Sequence, residues 1–336
     1  MGKIETYSSL EEKGKAFDQK IINTRNELDQ CLDEYENNKS GTIFFRGCNE
    51  AKYKLYNKAQ RVWITEDRSN HYNSNYDFIQ NLINIARDYQ DGLLSKYYSA
   101  FGLPINDLLI LGFLQHYGAP TTFLDWTYSF ENSLFFAIDA SMYKESANEI
   151  DNYISIYVVD NQGCHFQNYI DKIINLAINM SNEGLEHPNE NELYSYMLNF
   201  FQELDYQSLK VEPISLIPGY NENVITHEIK EYGFNFMYNQ QSLRIINQKG
   251  LFIFNPSENQ PLEYFCQANY NFENNELILP RNKIKCLDIH KSLKKDINSI
   301  LAKQNPRITK KYIYPKEEEI AKQAYQQFQN FDSIKK

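Results

Sequence analysis

The 336-residue chain has no Cys-x-x-Cys pair, and its five cysteines (Cys31, Cys48, Cys164, Cys266 and Cys286) are scattered and odd in number. This spacing excludes a zinc ribbon and a disulfide framework and fits reduced thiols. Glycine is scarce at 13 residues, and neither a Gly-x4-Gly-Lys-Ser/Thr loop nor Gly-x-Gly-x-x-Gly occurs, which removes the common phosphate-cradling loops. No apolar run is long enough to span a bilayer, and Met1–Tyr7 lacks a hydrophobic signal core, so a cytoplasmic protein without a membrane partner is expected. His116, His165, His187, His227 and His290 stand at no ligand spacing to one another or to acids, so no metal is expected. Serine and thiol nucleophile motifs are missing as well. Positive charge is short: the net charge of -10 argues against a broad nonspecific nucleic-acid surface. It leaves room for a local basic or aromatic groove that takes single strands, or for an acidic face that meets a basic protein.

What the chain has in quantity is aromatics, with 26 Tyr and 21 Phe, enough with its 42% apolar content to build a sizeable core. The mean hydropathy of -0.61 comes from Asn, Gln, Lys and Glu on surfaces, not from disorder. Ser8 and Ser9, each three residues before a glutamate, are overlapping capping boxes, and Phe17, Ile21, Leu28, Leu32 and Tyr35 predict one helix up to about residue 36. A turn over 37–41 and a strand over 42–46, closed by Gly47, follow. Residues 49–74 read as loop with short helices, and 75–101 as a long helix. Tyr153–Val159 predicts a central strand. Two helices, 168–180 and 190–204, suggest an insertion over 165–210. Strands are expected at 214–217, 243–246, 251–254, 277–279 and 284–289, then helices at 290–303 and 317–328. There are no repeats, no low-complexity linkers and no regular βαβ alternation. The expectation is one α+β domain over 1–336: an N-terminal helix (1–40), a mixed or split sheet core (41–160 and 211–315), flanking helices, the insertion, and a C-terminal helix (316–336).

The densest stretch is Leu111–Ile138. Leu108, Leu111, Leu114 and Gln115 recur at helical spacing, Gly118 suits a left-handed helix stop, and Pro120 forbids continuation. Thr121–Leu124 predicts a brief strand, and Thr127 or Ser129 the cap of a second helix with Glu131 in its first turn. Polar groups thus gather at the two ends of the strand, with His116 and Tyr117 at one and Asp125, Trp126 and Thr127 at the other. Taken singly, a Trp between apolar neighbours reads as core and an Asp before a helix as a cap. The density of the run points to a site.

Gln115-His-Tyr-Gly118, Pro120-Thr121, Leu124-Asp-Trp-Thr127 and Leu134-Phe-Phe-Ala137 resemble the central block of the FRG domain family, and Phe45-Arg46-Gly47 is the tripeptide that names it. Gln241-Ser-Leu-Arg244 with Asn247–Phe252 is similar to a third block of that family. The family usually carries Arg after Pro-Thr; this chain has Thr122. The resemblance extends to ADP-ribosyltransferase-like toxins of bacterial antiphage defence. Phe-Arg-Gly is similar to their first-strand Arg motif, and Asp125-Trp-Thr127 before a helix to their strand–Ser-Thr-Ser–helix element.

The resemblance implies an ADP-ribosyltransferase fold and transfer of ADP-ribose from NAD, with RNA favoured over protein as target and an antitoxin or chaperone as partner. Arg46 would grip a phosphate or ribose, and Trp126 or Tyr117 would stack on a base. Gly47, with His116, Thr127, Arg244 and Gln248, would complete the NAD site. The segment that corresponds to the family's catalytic-Glu strand, 244–248, holds no acid. Asp125 is the first choice of carboxylate and Glu131 the second. A non-catalytic nucleotide-sensing or partner-binding module is the alternative, followed by a glycohydrolase or a nuclease using His116 and Asp125.

Overall fold

The computed structural model describes residues 2–35, 43–100, 105–141, 143–160, 212–214, 243–267, 284–316, 318–320 and 322–326. Among them seven strands form one sheet: β1 (Asp18–Ile22), β2 (Ile43–Cys48), β3 (Phe123–Thr127), β4 (Tyr153–Asp160), β5 (Glu212–Ile214), β6 (Gly250–Phe254) and β7 (Lys285–His290). Their order is β1-β7-β4-β2-β3-β6-β5. Only β1 and β7 run parallel; the other neighbours are antiparallel. The sheet is therefore mixed, and with its helices the architecture is α+β, as expected. β4 lies inside the sheet, as its apolar sequence indicates, and is buried from Tyr153 to Val159. The proposed insertion over 165–210, the turn over 37–41 and the strand over 277–279 lie outside the described residues.

Alternation along the strands separates two faces. Phe44, Leu124, Trp126, Tyr157, Leu251, Ile253 and Cys286 belong to one apolar cluster, which the N-terminal residues Tyr7, Leu10 and Phe17 close. On the other face two clusters stand side by side. One gathers Phe45, Ile154, Ile156, Leu287 and Ile289 beneath α2 (Arg25–Tyr35), α6 (Phe130–Asp139) and α9 (Lys294–Lys303). The other gathers Phe123, Phe252 and Phe254 beneath α3 (Lys58–Thr65), α4 (Asn75–Ala100) and α5 (Asp107–His116). The boundary between these two clusters falls where β2 and β3 meet, and those strands are paired at one position only, Phe45 with Thr127.

Several expectations need correction. The single N-terminal helix is in fact α1 (Leu10–Ala16), β1 and α2. Phe17 and Ile21 fit a helical stripe, but Phe17 is extended and the β-branched Ile21-Ile22 add a strand to the edge of β7. Ser9 caps α1 by accepting the Glu12 N–H, whereas the Glu12 carboxylate takes the Ser8 N–H and hydroxyl, so the two overlapping boxes merge into one. The long helix α4 exists but turns sharply inside: Gln90, Asp91 and Gly92 all have positive φ. Residues 243–246, expected as a strand, lie in a helix, α7 (Leu243–Gln248). A short apolar run does not distinguish the two by period. The strand expected over 214–217 is described over 212–214. A helix not anticipated, α10 (Lys310–Ile313), is capped by Thr309, and α8 (Leu262–Gln267) was likewise unforeseen. No helix among the described residues is long and apolar enough to cross a membrane.

Candidate functional site

Beyond the Phe45–Thr127 pair the two central strands part, and a cleft of about 330 Å³ opens there. That volume lies at the small end of ligand pockets. The cleft draws on distant parts of the chain: Arg46 and Gly47 from β2, Gln115 and His116 from α5, Asp125 and Trp126 from β3, Phe136 from α6, Arg244, Ile245 and Gln248 from α7, and Tyr314. Gly118, at φ +80, ends α5 in the left-handed region that glycine tolerates, and so leaves His116 at the cleft's mouth.

The strand is Phe123–Thr127, two residues later than expected, so Asp125 and Trp126 stand in its middle and not in a following turn. Asp125 shares a face with Phe123 and is exposed between buried neighbours. Its carboxylate accepts two hydrogen bonds from Gln115 Nε2, at 2.9 and 3.0 Å. Arg46, two residues after Phe44, shares the face of Phe44 and so starts from the face opposite Asp125. The parting of the strands lets it border the same cleft, and its Nη1 donates to the Asp125 carbonyl at 2.5 Å. That acceptor is backbone, and among the described residues the guanidinium forms no ion pair.

Arg61, on α3, adds positive charge nearby. Part of its side chain reaches solvent, yet partial desolvation, and next the Arg46 charge, hold its guanidinium below the ordinary value. Tyr314 is raised, first by burial and then by the Asp139 and Asp125 carboxylates, while Arg244 works against the rise. The corner thus concentrates cationic groups in a chain whose net charge is -10, which suits an anionic ligand.

Of the expected site residues, Arg46, Gly47, His116, Asp125, Trp126, Arg244 and Gln248 all border this cleft. Tyr117 does not line it: 68% exposed, it packs its ring on Phe113 at 4.7 Å. Thr127 is buried, donates to the Gln248 carbonyl at 2.7 Å and accepts the Ser129 N–H at 3.0 Å, so it ties β3 to α7 and leaves the capping of α6 to Ser129. Glu131 accepts the Ser129 hydroxyl at 2.7 Å and lines a separate hollow with Lys249 and Tyr128. It does not join Arg46. Trp126 is 3% exposed and packs within the apolar cluster of the opposite face, so it borders the cleft without offering a free ring. Its indole N–H is buried without a hydrogen-bond partner among the described residues.

Gly47 was expected as part of the NAD site. Its open side instead faces α6: a Cβ there would lie 2.0 Å from the Ser133 carbonyl oxygen and 2.7 Å from the Ala137 nitrogen. Close helix–strand packing is the reason for the glycine. Gly47→Ala is expected to lower stability by about 1–3 kcal/mol, read from the denaturant midpoint, because both clashing atoms are backbone and cannot rotate aside.

Phe136 lies within the Leu134–Ala137 block and Ile245 beside Arg244, yet neither was singled out, because an apolar side chain in a helical run does not announce that it faces a ligand; Tyr314 is remote from every block. Gln115 had a sequence signal: it sits in the last turn of α5, just before the helix stop. Thr122, where the family usually has Arg, is fully buried, its hydroxyl unpartnered among the described residues, and it offers no charge to the cleft. Among the described residues no group of three or more His, Cys, Asp or Glu is placed to hold a metal.

The molecule is thus an α+β protein whose mixed sheet parts at its centre to set arginines and one aspartate about a single cleft. Residues 41–146 match the FRG domain, and the chain carries an FRG domain over that stretch. Comparison with curated proteins and with solved structures gave no match.

Proposed function

We propose that the cleft binds NAD and that the protein is a cytoplasmic ADP-ribosyltransferase-like effector of antiphage defence, acting on RNA in preference to protein. The convergence of Arg46, Asp125 and Arg244 on one cleft, from segments almost 200 residues apart, carries this reading. The guanidinium groups suit a pyrophosphate, which they can meet with paired, charge-assisted hydrogen bonds. Asp125 is the one carboxylate among the described lining residues. In the reaction the ribose C1′–nitrogen bond breaks, nicotinamide leaves with the bonding electrons, and positive charge develops on the ribose. Asp125 stabilises that charge electrostatically. A nucleophile of the target then bonds to C1′ and loses its proton. The net charge of -10 suits a basic antitoxin or chaperone as partner. Incubation with NAD labelled in its ADP-ribose part, with RNA or cell extract as acceptor, is expected to transfer label and release nicotinamide; failure of both would overturn the reading.

A binding module that holds a nucleotide without turnover is the second reading. One observation favours it: the segment that would carry the family's acid is the helix α7 and holds none. Calorimetry separates the two. Persistent binding heat with intact NAD favours the module, and a slow continuing signal with nicotinamide release favours the enzyme or a glycohydrolase.

A further inference from the structure

We infer that Gln115 is a positioning residue that fixes the Asp125 carboxylate toward the cleft, at the end of a hydrogen-bond relay that begins at the β3 backbone. The inference rests on the reading of Asp125 as the carboxylate that faces the ligand. The Phe123 N–H donates to Thr121 Oγ1 at 3.3 Å. With that oxygen engaged as acceptor, the one hydroxyl proton of Thr121 is directed to Gln115 Oε1, with which it forms a short hydrogen bond. An amide whose oxygen is held this way has its nitrogen on the other side, and Gln115 Nε2 faces both oxygens of Asp125. Thr121 is fully buried, so water does not compete for its proton. A helix end, a turn and a strand take part within eleven residues. The Gly118 stop and Pro120 set the span between them.

The relay settles which way the Gln115 amide points, a choice that a glutamine beside a carboxylate alone would leave open. One N–H donor shared between two carboxylate oxygens orients the group and leaves its remaining lone pairs for the cleft. Leucine at position 115 removes the donor. Glutamate there sets an acceptor against an acceptor. The effect belongs to the geometry of the charge-stabilising step and not to NAD affinity, so it is expected in kcat.

The test has two arms on the full-length protein. By 15N NMR the Gln115 side-chain amide is expected to be shifted downfield and slow to exchange in the wild type. Thr121→Val loses this protection, and Thr121→Ser, which keeps the hydroxyl, retains it. In nicotinamide release, Gln115→Leu and Gln115→Glu are expected to lower kcat about tenfold or more, with KM for NAD within about twofold of wild type. Thr121→Ser restores what Thr121→Val loses. A fast-exchanging wild-type amide, or Thr121→Val spectra that match the wild type, overturns the relay. Full kcat in a folded Gln115→Leu overturns its consequence for the reaction. A wild type that releases no nicotinamide counts against the enzymatic reading, and the NMR arm still decides the relay.

Discussion

Arg46→Ala is expected to lower NAD turnover about 10²–10³-fold, equivalent to roughly 2.7–4 kcal/mol of transition-state stabilisation, while the melting temperature stays near that of wild type. The side chain is partly exposed, and its hydrogen bond to the Asp125 carbonyl is in an exposed setting, so truncation leaves no buried charge or cavity behind. What is lost is a fork of donors at the parting of β2 and β3. Arg46→Lys is expected to recover little, because an ammonium cannot span two phosphate oxygens in a plane. On the proposed reading, expression of the wild type in cells is expected to inhibit growth and expression of Arg46→Ala is not. If the alanine variant turns over NAD at the wild-type rate, the cleft is not where the ligand reacts.

Lys13→Met is expected to cost about 3–5 kcal/mol of folding stability, measured by urea unfolding. Lys13 is fully buried, and its Nζ donates to Asp288 Oδ1 and to Ser155 Oγ, each at 2.6 Å, while Gln19 Nε2 donates to Asp288 Oδ2 at 2.6 Å. The ammonium also lies 4.9 Å from the Tyr157 ring centre. This network pins α1 to β4 and β7, and removal of the lysine strands a carboxylate in the core. Lys13→Met with Asp288→Asn is expected to recover much of the loss, since no charge then remains unpaired. Although burial disfavours the ammonium, the neighbouring Cys286 and Asp288 outweigh it and hold the Lys13 pKa above its ordinary value. A folded-state pKa above the unfolded one means the lysine's contribution is complete at neutral pH and is lost only as pH rises past the ordinary lysine range, about 10.4, toward the folded value. The gap between wild type and variant should therefore stay constant across neutral pH and narrow only in strong alkali.

The strands that hold the site were legible in the sequence because their apolar, β-branched runs are bounded by turn residues: β2, β4, β6 and β7 fall where those runs are. The stop at Gly118 and the cap at Ser129 follow from local backbone chemistry and were legible for that reason. Two failures share a cause. Residues 17–22 and 243–248 are short segments whose apolar spacing fits helix and strand equally, and the neighbour in the sheet decides the first, not the segment itself. At the site, charge was easier to read than orientation. Arg46 was singled out by the Phe-Arg-Gly resemblance and Asp125 by the density of its run, and both border one cleft, whereas Glu131, equally acidic and six residues on, lines another hollow. Gly47 shows the limit most clearly: glycine at a strand end announces a close approach but not by what, and here the visitor is a helix.

Among the described residues the matched stretch, 41–146, supplies two adjacent inner strands of the sheet, β2 and β3, paired at one position. Their outer partners, β4 and β6, come from later in the chain. A fragment cut to the family's borders would carry the arginine and the aspartate yet expose two raw, sticky margins with nothing to close them. The signature is best regarded as the keystone of an arch: recognisable in isolation, but able to stand only when stones laid from both sides press against it.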